Sequence, residues 1–132
     1  MRRDVRGMTE IKVETIRFDI FMAGDLGRAK QVCREYCFSQ GLCVTIEPAD
    51  YIYTGGEEAG IRVGLINYPR FPSTEAELLE KAKTLAYRLM CHLCQLSYSI
   101  VGPRETIWFS RREENDRRLA EGRAPALLHE ES

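Results

Sequence analysis

Hydrophobic residues alternate with other positions at Ile16, Phe18, Ile20 and Met22, with Arg17, Asp19 and Phe21 between them. Period two over this stretch predicts a half-buried strand. Ala23-Gly24-Asp25 breaks it, and Asp25 is placed to accept hydrogen bonds from the free amides of a first helical turn. Leu26, Ala29, Cys33, Tyr36 and Cys37 then recur at helical spacing, and Gly41 suits a left-handed cap. Leu42, Val44 and Ile46 return to period two. Pro48 is expected to interrupt this second strand, at an edge or a bend, before Tyr51-Ile52-Tyr53 resumes it. Thr54 through Gly60 reads as a turn by composition. Ile61, Val63 and Leu65 follow as a third strand, giving a hairpin.

Tyr68-Pro69-Arg70-Phe71-Pro72 reads as a stiff extended connection, because each proline disfavours helix in the residue before it. Thr74 and Glu77 have capping-box spacing. Leu78, Ala82, Leu85, Ala86, Leu89 and Leu93 form the stripe of a second helix. Tyr98 and Ile100 start a fourth strand, Gly102-Pro103-Arg104 turns it, and Thr106-Ile107-Trp108-Phe109 extends again. The order is β-α-β-β-α-β. It predicts an α+β, ferredoxin-like sheet with two helices on one face, an extra C-terminal strand and a helical tail. The expected division is an N-terminal tail over 1–12, one ligand-binding domain over 13–112 and a charged tail over 113–132. The uncovered sheet face is expected to carry some of Arg17, Asp19, Arg62, Tyr51, Tyr53 and Trp108, as a ligand platform or an oligomer interface.

Composition narrows the function. The 132 residues carry 19 Lys plus Arg against 20 Asp plus Glu, a net charge of −1. That argues against binding to DNA or RNA polymers, while leaving room for local basic pockets. No apolar run would span a membrane and no secretory signal follows the charged start, so a cytoplasmic protein is expected. In that compartment the five cysteines predict no disulfide framework. Cys33, Cys37, Cys91 and Cys94 lie on two helices whose C-terminal halves could meet around zinc. Mid-helix cysteines are more often small buried hydrophobes, and no metal or cofactor is expected. His92 points away from Cys91 on a helix, and His129 lies in the tail, so no nucleophile pair is evident.

Two segments carry candidate ligand chemistry. Asn67, Tyr68, Arg70 and Phe71 place an amide, two aromatics and a guanidinium on proline-stiffened backbone. Aromatic faces stack on bases and Arg forks onto phosphate; the alternative is that Tyr68 and Phe71 staple the second helix to the sheet. Arg104, Thr106, Trp108, Arg111 and Arg112 surround the last strand, with Arg88 on the second helix as a further cation. This composition suits an anionic, aromatic ligand, or an edge strand that pairs with another subunit. No catalytic motif is recognisable, and a protein that is not an enzyme is expected.

Five stretches resemble a phage family. They are Arg17 to Asp25, Gly41 to Thr45, Tyr51 to Glu58, Gly64 to Pro72 and Thr106 to Ser110, together spanning roughly residues 13–112. The pattern resembles the first-described Thoeris anti-defence sponges. The resemblance implies capture of glycocyclic ADP-ribose, and of cyclic trinucleotides of CBASS immunity, without degradation. It also implies homodimers or hexamers with pockets at subunit interfaces. A small inhibitor of a host defence protein, comparable to an anti-CRISPR, is the alternative. A nucleotide hydrolase on the same scaffold is a third.

Overall fold

The polar–apolar alternation of Arg17–Ala23 sends Phe18, Ile20 and Met22 into the core and leaves Arg17 and Phe21 on the other side. In the computed structural model, which describes residues 2–122, this segment is β3, the central strand of a five-stranded antiparallel sheet. Before it stands a small hairpin of β1 (Arg2–Arg3) and β2 (Thr9–Glu10). After it come α1 (Leu26–Gln40), β4 (Val44–Tyr53), β5 (Gly56–Ile66), α2 (Glu75–His92), β6 (Ser97–Val101), β7 (Thr106–Ser110) and α3 (Arg112–Ala120). The sheet order is β4-β5-β3-β6-β7. This is the α+β, ferredoxin-like arrangement the pattern predicts, with β7 as the extra strand.

Both helices begin and end where local chemistry dictates. The Asp25 carboxylate accepts from the Arg28 amide at 2.8 Å, and Gly41 closes α1 in the left-handed region. At the start of α2, Thr74 Oγ1 accepts from the Glu77 amide while Glu77 Oε1 accepts from the Thr74 amide, at 3.1 and 2.9 Å. That reciprocal box satisfies two orphan donors. The helices pack on each other and cover one sheet face, α1 over β4 and β5, α2 over β3 and β6. Between them lies one apolar core that includes Ile20, Ile61, Val63, Leu65, Leu85, Leu89 and Ile100.

Three local expectations change. The stretch expected as an N-terminal tail forms the β1–β2 hairpin, because the Asp4 carboxylate accepts from the amides of Arg6 and Met8 and folds the intervening loop. Pro48 does not interrupt β4: it pairs with Ile61 on an edge strand. Gly56 to Gly60 are strand rather than turn, because Tyr53 pairs with Gly56 and only Thr54-Gly55 remain to reverse the chain. The charged tail forms α3 up to Ala120. His129 and the rest of 123–132 lie outside the described residues.

Candidate functional site

The sheet face opposite the helices is open, and the strand register fixes what it presents. Reading across the sheet, Glu47 is opposite Arg62, Arg62 opposite Phe21, Phe21 opposite Ser99, and Ser99 opposite Trp108. One row along, Thr45, Gly64, Asp19, Val101 and Thr106 align in the same way. The first row runs from a carboxylate to the chain's only tryptophan. The second holds the buried Asp19 at its centre, 8% exposed.

Asp19 is held by two guanidiniums. Arg17 Nε donates to Asp19 Oδ2 at 3.0 Å, and Arg62 Nε lies 3.5 Å from Oδ1. Arg62 also faces Glu47 at 3.5 Å and lies over the Phe21 ring, 5.7 Å from its centroid. Its Nε is buried and makes no hydrogen bond. Gly64 leaves room for this arrangement: a Cβ there would sit 2.6 Å from Thr45 Oγ1 and 3.2 Å from Asp19 Oδ1.

The long β4–β5 hairpin runs past the end of β3, and its root is pinned by Tyr51. The Tyr51 hydroxyl donates to the Ile61 carbonyl and accepts from the Met22 amide, bridging β5 and β3. Its ring crosses Gly60, where any Cβ would collide with the ring and with the Met22 carbonyl. Tyr51 also packs edge-on against Phe21, at 80° and 6.4 Å. Desolvation raises its phenol above the ordinary value, with the Met22 amide and Arg62 opposing that shift. Further out, desolvation and Glu58 raise the Tyr53 phenol, while Arg112 pulls it down.

The residues singled out from the sequence do not converge on one site. Thr106 and Trp108 lie on the open face, with Trp108 65% exposed. Arg112 stands at its corner, 3.5 Å from Ser97 Oγ. Asn67 is engaged structurally: its amide donates to the Glu14 carbonyl and accepts from the Ser73 amide, both at 2.8 Å. Tyr68 and Phe71 stack on each other, 5.6 Å apart, beside the exposed Arg70. Arg88 lies over Tyr36 in the groove between α1 and α2. Arg104 pairs with Glu75 at 2.6 Å on the rim of a cleft of about 210 Å³ near Phe18 and Ile107. Arg111 turns to the helix side and lies over Tyr87.

The zinc idea finds no support in the arrangement of ligands. Among the described residues no three of His, Cys, Asp and Glu gather as a metal site. Burial pushes the Cys33 thiol up to about 12 and also raises Cys37, so neither thiol is activated as a nucleophile at neutral pH. Asp19 and Arg62 lie on the open face, as their positions in the strands predict, and Phe21 joins them there although the sequence reading did not single it out. They occupy the outward positions of strands whose alternate positions are strictly apolar.

Fold and face together define the class: a ferredoxin-like α+β module with an open sheet face bearing aromatic groups and ion pairs. No protein-family model matches the chain, and no curated protein does. Two solved structures share its fold. One is phage SAM lyase in its apo state, with a TM-score of 0.56 at 14% identity, covering 74% of this chain and 90% of that one. The other is phage SAM lyase in complex with S-methyl-5′-thioadenosine, with a TM-score of 0.53 at 13% identity, covering 78% and 95%. These neighbours overturn the expectation that the protein is not an enzyme. The fold, over nine-tenths of the neighbour's length, serves a lyase, so the lack of a recognisable catalytic motif carries no weight against catalysis. Among the described residues, no helix is long and apolar enough to cross a membrane.

Proposed function

We propose that this protein is a phage anti-defence factor that binds an adenosine-containing small molecule on its open sheet face, and that a sulfonium nucleoside of the SAM type is turned over there. The observation that carries this reading is the buried Asp19 carboxylate beside a face edged by the exposed Trp108. An adenine ring stacks on an aromatic face, and a carboxylate accepts from ribose hydroxyls. The solved neighbour in complex with S-methyl-5′-thioadenosine supports this ligand class.

The chemistry also suits a site without a protein nucleophile. In a sulfonium the leaving group is a neutral thioether: the electron pair of the breaking carbon–sulfur bond leaves on sulfur, and the substrate's own carboxylate oxygen bonds to that carbon, giving a lactone beside the thioether. The protein's task is then to fix the substrate's conformation. Phe21, Tyr51 and the Arg17–Asp19–Arg62 cluster form a preorganised surface for that. Incubation with SAM, followed by chromatography, should show S-methyl-5′-thioadenosine accumulating. Trp108→Ala should weaken binding of that product by roughly tenfold or more, the usual worth of one stacked base. Unconsumed SAM together with no thermal shift on adding the product would sink the reading.

A second reading follows the resemblance to the Thoeris sponges: the same face captures a cyclic ADP-ribose isomer, or a cyclic nucleotide of CBASS immunity, with self-assembly closing the site. Arg17, Arg62 and Arg112 on or beside one face favour it, because guanidiniums suit pyrophosphate. A thermal shift with glycocyclic ADP-ribose, and none with S-methyl-5′-thioadenosine, would select it.

A further inference from the structure

We propose that β7 is a self-complementary edge through which two copies of this chain join antiparallel, making one continuous ten-stranded sheet. The proposal rests on the edge itself and is independent of which ligand the open face takes.

The hydrogen-bond phase of β7 follows from its two ends. The Gly102 amide donates to the Glu105 carbonyl and the Arg111 amide to the Leu96 carbonyl, both at 2.9 Å. Both pairs continue the β6–β7 register, in which Ile100 pairs with Ile107 and Tyr98 with Phe109. Bonded and non-bonded pairs alternate in an antiparallel ladder. Ile107 and Phe109 therefore bond to β6, and the amides and carbonyls of Thr106, Trp108 and Ser110 face the free edge. That edge carries no proline and no charge between Thr106 and Ser110. The opposite edge, β4, contains Glu47, Pro48 and Asp50, which blunt strand addition.

The sequence around Trp108 is close to a chemical palindrome. In an antiparallel pair centred on Trp108, Thr106 meets the partner's Ser110, Trp108 meets the partner's Trp108, and Ile107 meets the partner's Phe109. Glu105 meets the partner's Arg111. Each match is favourable: hydroxyl with hydroxyl, aromatic with aromatic, apolar with apolar, acid with base. Ile107 and Phe109, half-buried in the single chain, would be covered. The outward-facing pairs close about six main-chain bonds. Arg104 and the partner's Arg112 would be the like-charged neighbours; here Arg104 is turned to Glu75 and Arg112 to Ser97. The symmetry is a closed two-fold, so assembly stops at the pair. Five residues make a small interface, and a reversible dimer in roughly the micromolar range is expected.

Sedimentation of the full chain over a concentration series should show a monomer–dimer equilibrium. Thr106→Pro removes an outward amide without touching the bonds to β6, and should weaken association at least tenfold while leaving the melting temperature close to that of the parent. Register is tested by cysteine. Cα atoms of a hydrogen-bonded pair lie ~5.5 Å apart, within disulfide reach. Trp108→Cys should cross-link to itself under mild oxidation above the background of the native thiols, and Ile107→Cys should not. A parent chain that stays monomeric throughout overturns the proposal, as does cross-linking at 107 equal to that at 108. Dimerisation appearing only after removal of 123–132 would assign the edge to the chain's own terminus instead.

Discussion

Tyr51 shows how much one hydroxyl can settle. It bridges the Met22 amide and the Ile61 carbonyl, and the ring reaches them because Gly60 has no side chain. Tyr51→Phe keeps the ring and its contact with Phe21 but deletes the bridge. Two partly buried main-chain groups that face each other in the β3–β5 ladder then lose one shared partner, at a cost of about 0.5–1.5 kcal/mol, the net worth of one hydrogen bond. Urea denaturation should show a lower midpoint with an unchanged slope. A variant as stable as the parent would mean that the two groups bond each other directly once the hydroxyl is gone. The same residue marks the limit of sequence reading. Period two places Tyr51, Asp19 and Arg62 on the open face, and that is where they lie. The pattern cannot show that Asp19 sits between two guanidiniums or that Tyr51 spans two strands, because those contacts depend on the register of three strands distant in sequence.

At the level of elements, short-range chemistry is the most legible part of the chain. Asp25, Gly41, Thr74 and Glu77 do at the helix ends what their side chains predict, since each acts on backbone within four residues of itself. Thr74→Ala should lower stability by about 1 kcal/mol, read as an earlier thermal transition with the secondary structure intact. The Glu77 carboxyl is held below its usual range, chiefly by the Thr74 amide. Its contribution is therefore present above the ordinary carboxylate value and lost as pH falls through the lowered one. Glu77→Ala should cost less in acid than at neutral pH, whereas the effect of Thr74→Ala, which removes the hydroxyl that accepts from the Glu77 amide, should persist there; a Glu77→Ala effect that is undiminished in acid would exclude the carboxylate as its source. Elements that rely on distant partners were read less well. The glycines from Gly55 to Gly60 have turn composition, yet the ladder with β4 holds Gly56 to Gly60 extended. Pro48 signals a break, but an edge strand has one side without ladder partners and tolerates it.

Across the whole molecule, the fold was legible from periodicity, whereas the activity was not, because a sulfonium lyase and a nucleotide trap ask a binding face for similar groups. The core nevertheless makes a global prediction. Burial pushes the Tyr98 phenol and the Cys33 thiol up to about 12, and raises Tyr36 and Tyr51 for the same reason. Each of these acids holds its proton more tightly folded than unfolded. Their contribution is complete below the unfolded values, 9.0 for the thiol and 10.0 for the phenols, and is lost as pH rises from there toward about 12. The unfolded chain releases protons first, so unfolding becomes easier with every step of alkalinity in that window. Denaturant midpoints should hold steady from pH 7 to about pH 8.5 and then fall continuously. Cys33→Ala combined with Cys37→Ala should begin its decline about one unit later than the parent, because both raised thiols with unfolded values of 9.0 are then removed and the phenols at 10.0 remain. A decline that starts at the same pH in both proteins would place the alkaline sensitivity outside the core.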